Sequence, residues 1–167
     1  MTILVKNKHS LKIDEFTFRC CVGKRGLTKN KKEGDKKTPT GTFKIENLYF
    51  RKDRFEKPST SLKCIEIKKN MGWCDDPRSS HYNKLIKLPF AHNHEKLFKR
   101  ENIYDIVLVL NYNMNPVKKN KGSAIFIHVA KKNFKKTKGC VAIKKPSLIK
   151  LIKKINQNTK VKISLQK

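Results

Sequence analysis

The sequence is poor in acidic residues: 13 Asp and Glu stand against 41 Lys and Arg, a formal charge of +28 over 167 residues. It has no apolar stretch of membrane-span length. The longest runs, "IVLVL" (106–110) and "AIFI" (124–127), fall far short of the roughly 20 residues a spanning helix needs. Five cysteines, Cys20, Cys21, Cys64, Cys74 and Cys140, form no CxxC pair. Their odd number and spacing exclude a zinc ribbon and a simple disulfide framework. The opening "MTILVKNKHSLKI" lacks the apolar h-region and small-residue cleavage site of a signal peptide.

The missing acids invite a nucleic-acid partner, but what else is missing argues against one. No aromatic RNP strand and no Cys/His pair at zinc-finger spacing offers a way to read bases. Nearly all the cations are lysine, spread from Lys6 to Lys167, and nucleotide bias in a coding gene also yields chains rich in Lys, Asn and Ile. Nucleic acid is therefore not the expected partner. The charge would still draw the protein towards a polyanion such as an acidic envelope polymer.

Although only 37% of the residues are apolar, they cluster in short runs, which suits one packed domain over residues 1–167. "MTILVKN" (1–7) and "HSLKIDEFTFRCCVG" (9–23) predict two strands with a hairpin turn at "KNKHS" (6–10). Adjacent Cys20 and Cys21 then point to opposite faces, as core packing. Residues 23–41, rich in Gly, Lys and Thr, predict a long loop. Strands are expected at 42–50, 64–74, 103–113, 123–130, 139–143 and 159–165, and a short helix near 92–105. The clearest helix is "PSLIKLIKKI" (146–155), with Pro146 in its first turn and Leu148, Leu151, Ile152 and Ile155 at helical spacing. The fold class is mainly β with a few short helices, one of them near the C-terminus.

Chemistry concentrates in "IFIHVAKKNFKKTKGCVAI" (125–143). Alternation puts Ile125 and Ile127 on one face of a strand and Phe126 and His128 on the other. Gly139 precedes Cys140 at the mouth of the next strand, where glycine permits a close backbone approach. A cysteine nucleophile needs a group that raises its thiolate fraction, and histidine is the usual partner. An antiparallel hairpin would bring His128 to Cys140, with the lysine-rich stretch 131–138 as its solvated loop. The amides of Gly139 and Cys140 could then face a developing oxyanion.

Three blocks in order resemble the L,D-transpeptidase catalytic domain, or YkuD fold: "EGDKKTPTGTFKI" (33–45), "GSAIFIHVA" (122–130) and "TKGCVAI" (137–143). They are similar to the family's TPxGxF segment, histidine strand and [S/T]xGC motif. The intervening "WCDDPRSSHYNKLIKLPF" and "LFKRENIYDIVLVLNYNMNPV" resemble a short, compact proteobacterial branch. The resemblance implies a β-sandwich or barrel domain with Cys140 as nucleophile, His128 as general base and acid, and Gly139 as the backbone hinge. Thr137 occupies the family's Ser/Thr position and, with Lys138, is a candidate substrate contact. Lys138 stands where a second histidine is common and Ala142 where Arg or Asn is common, and the His-to-Cys interval is shorter. Recognition of a substrate carboxylate is thus left without its family residue.

The implied activity is acyl transfer from an L,D amide bond of a peptidoglycan stem peptide, after position one or three, through a Cys140 thioester to an acceptor amine. No cofactor and no metal is implied, and a monomer is expected. Water in place of the amine would make the same site a carboxypeptidase or endopeptidase. A basic nucleic-acid-binding protein on an inactive fold is the rival from another class. Trp73, Tyr82, Asn83, Glu95, Arg100 and Asp105 are candidates to line the cleft or to serve as structural hydrogen-bonders. "HNH" (92–94) is expected to be a surface turn rather than a metal pair. Cys64 and Cys74 could pair as a disulfide. The resemblance implies the periplasm or cell envelope; with no visible signal peptide, the cytoplasm stays open.

Overall fold

The computed structural model describes residues 1–6 and 9–165. Its strands are β1 (Thr2–Val5), β2 (Ser10–Ile13), β3 (Phe16–Cys21), β4 (Leu27–Thr28), β5 (Thr38–Pro39), β6 (Gly41–Phe50) and β7 (Cys64–Glu66). They continue as β8 (Met71–Cys74), β9 (Leu85–Lys87), β10 (His94–Lys96), β11 (Ile106–Leu110), β12 (Phe126–Val129), β13 (Val141–Ile143) and β14 (Lys160–Ile163). The helix α1 (Lys145–Lys154) and two 3-10 turns, Asn102–Tyr104 and Lys132–Phe134, complete the described chain. The mainly β class and the helix near the C-terminus are as the sequence predicts.

The main sheet runs β11-β12-β13-β3-β2-β1-β14-β6-β7, and β6 also pairs with β11. That extra pairing closes eight strands into a barrel and removes the unpaired edges of an open sheet. The ten-residue β6 makes closure possible. Its first residues pair with β14 and its last with β11, across an irregularity at Val109/Leu110 that bends the ladder.

Inward-facing Ile, Leu and Val from these strands form the barrel core with Leu148, Leu151 and Ile152 of α1 and Ile155 just after it. Burying each such side chain contributes roughly 1.5–3 kcal/mol. Pro146 lies in the first turn of α1, and Lys153 and Lys154 favour the negative end of its dipole. A second apolar cluster covers the outer face of β11 and β12, beneath the sheet β10-β8-β9, with Trp73, Tyr104, Val107, Phe126 and Cys140 among its members.

Several local expectations are corrected. The segment 9–23 holds two strands, β2 and β3, because Asp14 adopts a positive φ of 48° and turns the chain. The KNKHS turn includes Asn7 and Lys8, which lie outside the described residues. Residues 64–74 divide into β7 and β8, in different sheets. The helix expected over 92–105 is β10 followed by a single 3-10 turn, and the long 23–41 loop contains the short parallel pair β4–β5. All five cysteines are free thiols, so Cys64 and Cys74 are not joined. Cys20 packs in the barrel core, while Cys21 points away from it and donates to the Lys135 carbonyl.

One buried carboxylate ties the barrel to its loops. Asp105, with its side chain 1% exposed, receives Arg54 at 2.6 Å and Lys145 at 2.8 Å. Arg54 also donates to the Lys99, Arg100 and Glu101 carbonyls. Replacing Asp105 with Ala leaves two cations without their shared anion and is expected to cost about 3 kcal/mol. Denaturant unfolding checks this; a loss within experimental error would show that the ion triad is dispensable.

Candidate active site

His128 and Cys140 reach the same surface by strand alternation. β12 and β13 are parallel neighbours, with Ile127 level with Val141 and His128 level with Ala142. Ile125, Ile127, Val129, Val141 and Ile143 face the barrel core, so Phe126, His128, Cys140 and Ala142 share the opposite face. The antiparallel hairpin expected from sequence is thus replaced by a parallel pair. Residues 130–140 carry the chain back to the start of the next strand, as parallel pairing requires. Lys131, Lys135, Lys136 and Lys138 of this crossover border a cleft of about 540 Å³, which His128 and Cys140 also line.

Both reactive groups are buried, His128 to 6% and Cys140 to 9% exposure. Burial pushes the Cys140 thiol up to about 12; the Phe126 amide and the Lys31 charge oppose this, and the Glu95 charge adds to it. Burial holds His128 down to about 4, against the Val129 carbonyl and Glu95. At neutral pH the resting pair is therefore a thiol and a neutral imidazole. The thiol donates to the Ala124 carbonyl at 3.1 Å. Nδ1 of His128 bonds the Val129 carbonyl at 2.9 Å, which makes it the protonated nitrogen and leaves Nε2 to accept a proton.

The turn before Cys140 is tightly built. A Cβ on Gly139 would come within 3.1 Å of the Lys37 carbonyl oxygen, and its φ is 155°, so glycine serves the close approach. Thr137 Oγ1 donates to the Cys140 carbonyl at 2.6 Å and accepts from the Gly139 amide at 3.1 Å. This commits the Gly139 amide to the turn and removes it from the pair expected to face an oxyanion. Thr137 closes the turn as well as lining the cleft, and Lys138 is exposed at the cleft wall.

Of the six further candidates, Glu95 lines the cleft, accepts from the Tyr104 hydroxyl at 3.1 Å and pairs with Lys99. Trp73 and Asn83 act from behind it. Asn83 Oδ1 accepts from the Trp73 indole and from the Ala124 amide, both at 3.0 Å, and Asn83 Nδ2 donates to the Tyr112 and Asn113 carbonyls. It therefore fixes the peptide whose carbonyl holds the thiol. Tyr82 donates to Glu33 and accepts from the Gly122 amide, while Ser123 donates to Glu33 at 2.7 Å. Arg100 and Asp105 do not line the cleft. His92 lies 3.5 Å from Asp76 in a surface turn, and among the described residues no three His, Cys, Asp or Glu side chains converge as a metal site would need.

Sequence reasoning missed Ala124, Glu33 and Tyr104. Tyr104 sets its ring edge-on to His128, with centroids 5.3 Å apart. None of the three carries a motif. The one available signal was the TPxGxF-like block that begins at Glu33.

A family model described as the L,D-transpeptidase catalytic domain matches residues 1–163, and the chain belongs to that family. Among solved structures it is similar to Bd1075 of Bdellovibrio bacteriovorus, with a TM-score of 0.52 and 15% identity. That alignment covers 99% of this chain and 48% of the other, so the chain spans about half the length of that relative. At this identity the likeness bears on the fold alone. No curated protein matches significantly.

The neutral pair has two measurable consequences. Alkylation of Cys140 by iodoacetamide, followed on its own peptide, should accelerate about tenfold per pH unit from about pH 7 to about pH 10. A plateau in that range would reveal an ion-paired thiolate instead. The folded-state value of His128, about 4, lies below the ordinary value of about 6.5. The unfolded chain therefore binds the extra proton between these values. Stability is fully present above about pH 6.5 and falls by about 3 kcal/mol as the pH drops through about 4. The stability difference between the wild type and His128→Gln should shift across that window; a pH-independent difference would contradict a buried neutral imidazole.

Proposed function

We propose that this protein is a cysteine-dependent peptidoglycan L,D-transpeptidase, with Cys140 as nucleophile and His128 as general base and acid. One observation carries this reading: in a chain of this family, a buried thiol and a neutral imidazole share one face of two adjacent strands at the floor of a cleft. Family membership supports an enzyme acting on peptidoglycan stem peptides.

In the proposed mechanism the Cys140 thiol leaves the Ala124 carbonyl as a substrate amide enters. Its proton passes to His128 Nε2 while sulfur bonds to the carbonyl carbon on the L side of an L,D bond. In this reading the Cys140 amide, the member of the expected pair not committed to the turn, donates to the tetrahedral oxyanion. On collapse the C–N bond breaks, and His128 returns the proton to the departing amine. An acceptor amine then attacks the thioester carbon and gives its proton to His128. The C–S bond breaks, and the thiol is restored as the new amide forms. At the resting values, a raised thiol and a lowered imidazole, this proton transfer is uphill, so the cycle needs substrate entry to bring the two groups' proton affinities closer. Water in place of the amine would give the hydrolase. In this reading residues 1–167 act as one catalytic domain in the cell envelope, where the substrate lies.

Incubation with tetrapeptide muropeptides, beside Cys140→Ala, tests the proposal by mass spectrometry. Cross-linked dimers are expected, falling more than about a thousandfold in the variant, and their fragmentation identifies the bond cut. Shortened monomers alone would make it a carboxypeptidase or endopeptidase. Absence of any Cys140-dependent product would overturn the enzymatic reading.

A further inference from the structure

Alongside the catalytic cleft runs a second groove, of about 670 Å³, lined by both 3-10 turns and the start of α1. The two cavities share Glu101, Ile103, Lys131 and Lys135, so they lie side by side. Lys131, Lys132, Lys135 and Lys144 line the groove and are exposed. None of the four has an ion-pair partner among the described residues. Lys145, also in the lining, is committed to Asp105, and Glu101 is the one carboxylate there. The first turn of α1 adds no acidic residue and no side-chain cap.

The rest of the cleft has a different character. Glu33, Asp75 and Glu95 all line it. They stand close enough that, after burial, Glu33 and Glu95 push the Asp75 carboxyl up further. Two lysines near them are already paired, Lys31 with Asp35 and Lys99 with Glu95. Lys36, Lys136 and Lys138 line the cleft as well, so the repulsion is local. An anionic peptide arm would be repelled from the Glu33, Asp75 and Glu95 cluster and attracted along the groove. At the strand position facing His128 stands Ala142, which has no charge to offer a carboxylate.

We propose that the groove of Lys131, Lys132, Lys135 and Lys144 binds the carboxylate-bearing arm of the donor stem peptide and so sets its direction across Cys140. This rests on the acyl-transfer reading and names the residues that read the donor. The groove's size and its place beside the cleft suit a short peptide. A nucleic acid would want exposed aromatic faces for base stacking, but the one aromatic ring in the lining, Phe134, is faced by Arg19 and Lys144. On this proposal the lysine-rich crossover, exposed to solvent as expected from sequence, also serves as a substrate-facing wall.

The test is equilibrium binding of a tetrapeptide stem to full-length Cys140→Ala, with its carboxylates free and with them amidated. The free acid should bind about tenfold tighter at low salt, and added salt should erase the preference. Adding Lys132→Gln, Lys135→Gln and Lys144→Gln should abolish it. A charge-matched control, Lys150→Gln, Lys153→Gln and Lys160→Gln, should leave it intact, and equal thermal melting of both sets would exclude misfolding. In the active enzyme the groove substitutions should raise KM and leave kcat within about twofold. Equal affinity for the two peptides, no binding of either, or a groove variant that weakens only oligonucleotide binding would overturn the proposal. Carboxylate-dependent binding without turnover would instead sink the acyl-transfer reading and leave the groove standing; turnover without carboxylate preference would do the reverse.

Discussion

The parallel pairing of β12 with β13 is the constraint on which the rest depends. With a side-chain period of two, Ile125, Ile127, Val129, Val141 and Ile143 on one face build the barrel core. Phe126, His128, Cys140 and Ala142 share the other, the last three lining the cleft. A slip of β12 by one residue would bury His128 among Ile and Leu side chains and turn Ile127 outward, away from the face that Val141 keeps. Core packing and site geometry are therefore one specification. The apolar face holds the register, and the register places Cys140 and His128 on one face of adjacent strands.

Around that floor the structure keeps its reactive groups dry and uncharged. The thiol rests on the Ala124 carbonyl, Ala124 is held by Asn83, and Asn83 is tied to Trp73 and to the Tyr112–Asn113 backbone. Tyr82, Glu33 and Ser123 brace the peptide just before it. A buried polar network that is satisfied throughout fixes one geometry, because each unmade bond would carry a desolvation cost. Tyr104 restricts the His128 ring from the other side. The thiol keeps its proton until something enters the cleft to change that balance.

The charge of +28 is not uniform in its effect. Acids are scarce, yet Glu33, Asp75 and Glu95 cluster in the cleft beside lysines of its rim, while the neighbouring groove has unpaired lysines and Glu101 as its one carboxylate. Total charge governs long-range attraction, whereas this local separation of sign gives the cleft a direction.

Much of this was legible in the chain. Alternation in "AIFIHVA" and "GCVAI" determined which residues face the core and which face out, because the period of a strand is local. Pro146 and the 3,4-spaced Leu and Ile of α1 determined the helix for the same kind of reason. The order of the TPxGxF-like, HVA and TKGC blocks determined the family. Tertiary structure decided what local rules cannot reach. Parallel rather than antiparallel pairing followed from where β3 docks beside β13 in the closing barrel. The neutral state of Cys140 and His128 followed from burial, which depends on what packs above them. The roles of Ala124, Asn83 and Glu33 followed from hydrogen bonds between segments distant in sequence. A residue's partners across such separations are set by the closed barrel, and no local period or spacing encodes them.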